Sequence, residues 1–267
     1  MSSDLKGKWA LILGASSGFG GATAARLARE GMHVFGVHLD RKATIPNAER
    51  VQAEIQRAGG EAVFFNTNAA GHEERAQVIA QMKARLGAGA QGAVRVLLHS
   101  LAFGTLKPYI AEDPAGVLTP KQLEMTLDVM AHSLVYWAQD LVREGLMGEG
   151  GRIYAMTSSG GHRVWPTYGA VSAAKAALES HIRQLAYELA PRGIAANSVQ
   201  AGVTDTPALR KIPGNEEMIE LAQRMNPHRR ITTPEMVADA IACFSHPGTK
   251  WMTGNVIRVD GGEDIAG

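Results

Sequence analysis

The chain has 267 residues, a formal net charge of +1 and 45% hydrophobic content, which predicts one large domain with a well-buried core and argues against nucleic acid or a membrane surface as its main partner. No apolar run approaches the roughly 20 residues needed to cross a bilayer, and the first residues lack a signal-peptide pattern. The single cysteine, Cys243, excludes an internal disulfide framework and fits a reducing compartment, so a cytoplasmic protein is expected.

Strand-like apolar runs alternate with helical patterns along the chain. Residues 9–13 read as a strand, followed by a glycine loop and a helix over 19–29. A second strand, 33–37, precedes a helix over 47–57. A third, 61–66, precedes a helix over 73–86. The fourth strand, 94–99, is followed by a long helix over 120–147. The fifth, 152–157, leads into an alanine-rich helix over 167–190, with Pro166 suited to its start. After a sixth strand, 194–199, residues 207–230 read as a mobile helical lid rich in charge. A helix over 234–244 carries Thr233 as its N-cap, and its apolar run is expected to bury Cys243 as an inert thiol. Residues 255–259 form the last strand. The nine histidines lack metal-ligand spacing.

Repeated βα units without a linker predict one α/β domain over 1–267, a parallel sheet of about seven strands with helices on both faces. In such a sheet, ligands bind beyond the carboxyl ends of the strands. The loops after Leu13, Val37, Asn66, His99, Thr157 and Val199 therefore converge on one cleft.

Two motifs fall on that cleft. Gly14-Ala-Ser16-Ser17-Gly18-Phe19-Gly20 joins the first strand to the first helix. Gly14 permits a tight turn, Gly18 lets backbone N–H groups approach a pyrophosphate, and Gly20 allows close helix–strand packing. Tyr168 and Lys175, seven apart on a helix, share nearly one face about 10 Å apart along the axis. An ammonium near a phenol is expected to favour its ionised form and sharpen it as a proton donor.

These two motifs, with Asn197, Ala201-Gly202 and the closing Val259-Asp260-Gly261-Gly262, together resemble the short-chain dehydrogenase/reductase family over essentially the whole chain. The common pattern places tyrosine four residues before the lysine, where this sequence has Val171. A tyrosine seven before it resembles the enoyl-[acyl-carrier-protein] reductase branch. His99-Ser100-Leu-Ala-Phe-Gly104, Asp128 and Asn197-Ser-Val-Gln-Ala201-Gly202 depart from the common pattern in the same direction. Ser158 stands where many enoyl reductases carry a second aromatic residue. It resembles both the substrate-binding serine of carbonyl-reducing members and the NADPH-using minority of enoyl reductases, and it reads equally well as a hydroxyl closing the turn after the fifth strand.

The resemblance implies a Rossmann-like doubly wound fold and reduction of trans-2-enoyl thioesters on acyl carrier protein or coenzyme A. In that reaction hydride lands on the β-carbon and charge develops on the more distant thioester oxygen. A tyrosine one turn back, displaced by about 5 Å, suits that oxygen. The implied catalytic residues are Tyr168, Lys175 and Ser158, with Lys175 also on the nicotinamide ribose. The implied cofactor residues are Gly14, Ser16, Ser17, Gly18, Phe19, Gly20, Ser100 and Thr206, with Asn68 against adenine and the Val203 backbone on the carboxamide. His38, Arg41 and Lys42 favour NADPH, while Asp40 keeps NADH open. A homotetramer is also implied. A carbonyl or 3-oxoacyl-thioester reductase and a non-catalytic dinucleotide sensor are the alternative readings.

Overall fold

The computed structural model describes residues 5–266. Its centre is a seven-stranded, wholly parallel sheet. The strands are β1 (Trp9–Leu13), β2 (His33–His38), β3 (Ala62–Asn66), β4 (Val94–His99), β5 (Arg152–Ser158), β6 (Ala195–Ala201) and β7 (Val256–Val259), in the spatial order β3-β2-β1-β4-β5-β6-β7. The order reverses between β1 and β4, the switch point at whose carboxyl ends sheets of this kind bind their ligands.

Alternate residues of each strand feed two cores, as the two-residue period of a strand requires. Leu11, Leu13, Phe35, Val37, Leu97 and Ile153 face one layer, which holds α3 (His72–Leu86), α4 (Pro120–Leu127), α5 (Ser133–Arg143) and α6 (Gly169–Leu189). Ala10, Ile12, Val34, Val96, Leu98 and Met156 face the other, which holds α1 (Gly18–Arg29), α2 (Ile45–Arg57) and α8 (Pro234–Phe244). The remaining helix, α7 (Asn215–Met225), lies within the expected lid and buries only Ala222 fully. No helix among the described residues is long and apolar enough to cross a membrane.

Three expectations from the sequence need correction. The helix over 120–147 is not continuous: a π-turn, Asp128–His132, separates α4 from α5. It ends at Arg143 because Gly145 adopts φ 69°, and the Leu146 N–H then returns to the Leu141 carbonyl. Cys243 is exposed, not buried. α8 turns Val237, Ala238, Ile241 and Ala242 inward, and residue 243 falls outside that stripe. The α6 helix starts at Gly169, so Tyr168 is its N-cap and Pro166 lies in the preceding turn. Thr167 between them has φ 63°, a strained value for a β-branched residue.

Candidate active site

The glycine loop is built by close backbone approach. Gly14 has φ 89°, and a Cβ there would lie 2.3 Å from the Ser100 carbonyl oxygen. A Cβ on Gly20 would lie 2.1 Å from the Gly14 carbonyl oxygen. The Ser100 N–H donates to the Leu13 carbonyl at 2.9 Å, so Ser100 pins the β4 exit to the loop. At the start of α1, Ser17 makes no side-chain cap and the first turn carries no acidic residue. Among the described residues, neither a Ser17 side-chain cap nor a first-turn carboxylate therefore competes with an anion for that end of the helix. Ser16 shares a hydrogen bond with Asp40, and Phe19 is half-buried against the α1 side of the core. The Thr206 methyl faces Gly18 across the cleft.

Tyr168, Ser158 and Lys175 converge on the end of β5. The Tyr168 phenol hydrogen-bonds with the Ser158 hydroxyl, and its ring lies over Gly160, where a Cβ would come within 2.5 Å of it. The Ser158 Oγ also accepts from the Gly160 N–H at 3.1 Å. The turn-closing role and the site role are thus both present. Lys175 is buried, and its Nζ donates to the Met156 carbonyl at 2.7 Å. Burial pulls the Lys175 ammonium down to about 8, opposed by the charge of Glu179. Burial pushes the Tyr168 phenol up, with the Ser158 hydrogen bond opposing. The expected acidification by the ammonium is not the outcome, because desolvation of the phenol wins. The phenol is neutral near pH 7, as a proton donor must be.

Val171, where the common pattern has tyrosine, is buried. A Cβ on Gly104 would strike Val171, Thr126 and Met130, so all four residues pack together without a hydroxyl at that step of α6. Below them His99 is fully buried. Its Nε2 lies 2.9 Å from the Ser133 Oγ, whose hydrogen is donated to the Val129 carbonyl. Nε2 must then carry the proton, which leaves Nδ1 a bare acceptor without a partner among the described residues. Burial, and secondarily the charge of Lys175, pulls His99 down to about 3 and keeps it neutral. Asp128, in the π-turn, accepts from the Tyr136 hydroxyl at 3.0 Å.

At the β2 exit, His38 Nδ1 and Asp40 Oδ2 are 2.8 Å apart. Asn66 clamps the Asp40 backbone with two hydrogen bonds, a role that sequence reasoning missed. Arg41 and Lys42 are exposed just beyond. Asn68 is also exposed, and its Oδ1 accepts from the Ala70 N–H at 3.1 Å.

The Val203 N–H, expected to face a carboxamide, instead donates to the Glu263 carboxylate at 3.1 and 3.2 Å. Glu263 was not legible as a site residue, because only the fold brings the stretch after β7 onto the β6 exit. Its carboxyl is pushed up by burial, against the Val203 hydrogen bond. Thr206 caps its own turn by accepting from the Leu209 N–H at 3.1 Å. Trp165 reaches the start of the lid, with its Nε1 3.4 Å from the Pro213 carbonyl oxygen.

A parallel doubly wound sheet with a glycine cradle and a Tyr–Ser–Lys cluster at its crevice defines a dinucleotide-dependent oxidoreductase. The family model described as Enoyl-(Acyl carrier protein) reductase matches residues 14–263. The chain belongs to the short-chain dehydrogenase/reductase family, within the group related to enoyl-[acyl-carrier-protein] reductases. It is 32% identical to 1-cyclohexenylcarbonyl-CoA reductase of Streptomyces collinus, over 96% of this chain and 86% of that protein. The enoyl-[acyl-carrier-protein] reductase (NADH) structure of Aquifex aeolicus superposes with a TM-score of 0.83 at 26% identity, covering 98% of both chains. A short-chain dehydrogenase of Burkholderia cenocepacia in complex with NADP gives 0.81 at 27%, covering 97% of this chain and 99% of that one. The protein is an NAD(P)H-dependent oxidoreductase. The cradle fits such a cofactor: Gly14 and Gly20 let the loop close tightly on the β4 exit and on itself, Gly18 faces only the Thr206 side chain, and the start of α1 is uncapped.

Proposed function

We propose that the protein reduces the carbon–carbon double bond of trans-2-enoyl thioesters, as in fatty acid synthesis. The observation that carries this reading is the tyrosine geometry. The phenol stands at the first turn of α6, bonded to Ser158, and buried Val171 fills the position one turn on. The bound nicotinamide supplies the hydride. Tyr168 gives its proton to the thioester oxygen. The enol so formed takes up a proton at its α-carbon as the oxygen gives one up, which completes the saturated thioester. Ser158 orients the Tyr168 phenol, and Lys175 holds positive charge behind both. The test is oxidation of NADPH and NADH with crotonyl-CoA against acetoacetyl-CoA. Turnover with crotonyl-CoA is expected, and turnover with acetoacetyl-CoA alone overturns the assignment. The Ser158–Tyr168 hydrogen bond is also the pairing a carbonyl reductase needs. It makes reduction of carbonyl or 3-oxoacyl thioesters the second reading.

For the cofactor we propose NADPH. Asp40, held beside Ser16, repels a 2′-phosphate, but exposed Arg41 and Lys42 outnumber it two to one. Arg41→Ala is expected to weaken NADPH binding about tenfold, the worth of one charge-assisted hydrogen bond, and to leave NADH binding unchanged. Titration of cofactor fluorescence measures both. A wild type that binds NADH more tightly would make Asp40 the ribose ligand instead.

The carrier is proposed to be acidic acyl carrier protein, docked on the lid's basic residues. Arg210 is committed to Asp205 by two hydrogen bonds, and the Arg229 guanidinium holds the Arg224 carbonyl at the end of α7. Lys211, Arg224 and Arg230 stay exposed for a partner. Lys211→Glu with Arg230→Glu is expected to raise KM for the protein-bound substrate severalfold at low salt, and to leave KM for the coenzyme A thioester alone. Equal shifts on both substrates would remove the lid as the docking site. A cytoplasmic homotetramer completes the proposal.

A further inference from the structure

Tyr109 lies in the loop between β4 and α4, more than half exposed at 54%. Its ring rests on the backbone of Gly169. A Cβ on that glycine would fall 2.7 Å from Cζ and 3.0 Å from both Cε atoms of the ring. Gly169 is the first residue of α6 and the immediate neighbour of Tyr168. Its φ is not among the positive values, so the backbone alone does not demand glycine there. What the missing side chain permits is the approach of Tyr109.

The loop is braced on both sides of that ring. The Thr105 N–H donates to the Thr126 Oγ1 at 3.0 Å, and the Leu118 N–H donates to the Pro108 carbonyl at 2.9 Å. The Tyr109 hydroxyl has no partner among the described residues. Two large apolar side chains stand uncovered on the loops that flank Tyr168: Ile110 at 89% exposure on the β4 loop and Val164 at 97% on the β5 loop. An aromatic ring held over the first turn of α6, more than half exposed and followed in the chain by uncovered Ile110, offers a wall to a ligand.

We propose that Tyr109 is a specificity-determining residue. Its ring forms one wall of the acyl site and stacks on the flat, conjugated part of the thioester substrate, which keeps the reacting oxygen within reach of Tyr168. The proposal rests on the thioester-reductase reading above and adds the residue that recognises the acyl group. A conjugated enoyl group is planar and polarisable, and a ring face suits it better than it suits a saturated chain.

The experiment compares the wild type with Tyr109→Phe, Tyr109→Ala, Gly169→Ala and the double variant Gly169→Ala/Tyr109→Ala. Each is assayed on crotonyl-CoA and trans-2-decenoyl-CoA, with NADPH affinity and melting temperature measured alongside. Tyr109→Phe keeps the wall and is expected within threefold of wild type in kcat/KM. Tyr109→Ala is expected to raise KM tenfold or more, with kcat within threefold and cofactor affinity unchanged. Gly169→Ala pushes the ring off the helix and is expected to match that loss. Once the ring is gone the same alanine does no further harm, so the double variant is expected to equal Tyr109→Ala.

An unchanged KM in Tyr109→Ala overturns the proposal. So does a loss in the double variant equal to the product of the two single losses, because the glycine then serves something other than the ring. A melting temperature lowered without a KM change assigns Tyr109 to loop stability and also overturns it. If the wild type reduces acetoacetyl-CoA and not crotonyl-CoA, the enoyl reading has failed. The same four variants measured on acetoacetyl-CoA then decide the wall separately.

Discussion

Tyr168→Phe is expected to lower kcat by a factor of order 10² or more while leaving cofactor affinity nearly unchanged. The phenol hydrogen-bonds with Ser158 at the end of β5, and burial keeps it protonated at neutral pH. Phenylalanine keeps the ring over Gly160 and removes only the hydroxyl, with its transferable proton and the bond its oxygen accepts from Ser158. The fold and the glycine cradle lie outside that change, so the loss belongs in kcat. Steady-state kinetics with a parallel NADPH titration measures the split. A variant with wild-type turnover would falsify Tyr168 as the proton donor.

Lys175→Met is expected to give a more stable protein and a poorer enzyme. The ammonium is buried and its folded-state value falls to about 8 from the ordinary 10.5. The folded value lies below the unfolded one, so between them the unfolded chain binds more protons. The penalty on the native state is therefore fully present below pH 8 and relieved as pH rises toward 10.5. At about 1.4 kcal/mol per pH unit it amounts to roughly 3 kcal/mol, less about 1 kcal/mol for the lost bond to the Met156 carbonyl. Methionine is apolar and of similar length. Denaturant unfolding should show a gain of about 2 kcal/mol at pH 7 that shrinks at pH 9.5, while cofactor binding weakens at pH 7. Equal stability of the two proteins at both pH values contradicts this account.

The fold was legible because it is periodic. Every expected strand is present within two residues at each end, and the carboxyl-end loops meet as a parallel sheet requires. The glycine loop was legible for a related reason: Gly14 and Gly20 sit where any Cβ collides with backbone, and such needs are written in the sequence. The interruption of the 120–147 helix was not, because residues 128–132 contain no helix breaker and the extra residue per turn comes from tertiary packing. Glu263 on the Val203 N–H and Tyr109 on Gly169 pair residues 60 apart in each case, across loops without a period. Only Gly169, a glycine beside the proton donor where helix propensity favours alanine, hinted at a close approach.

The π-turn at Asp128–His132 lets this lineage shorten by one residue with little movement of α5. A π-turn is a regular turn with one residue more, and each α-helical residue turns the chain by about 100°, so closing the turn to regular helix with no residue lost would rotate all of α5 by that angle. Ser133 would leave the His99 ring, Tyr136 would leave Asp128, and Trp137 would swing its indole away from the Ala69 carbonyl. A single codon lost from this stretch instead removes that extra residue, and α5 keeps its phase and these three contacts. The same loss in the exposed Gly87–Gly89 turn shortens a surface connection and moves none of them. Among relatives, one-residue gaps should therefore be found in both places and be purged from the regular helix of α4 and α5.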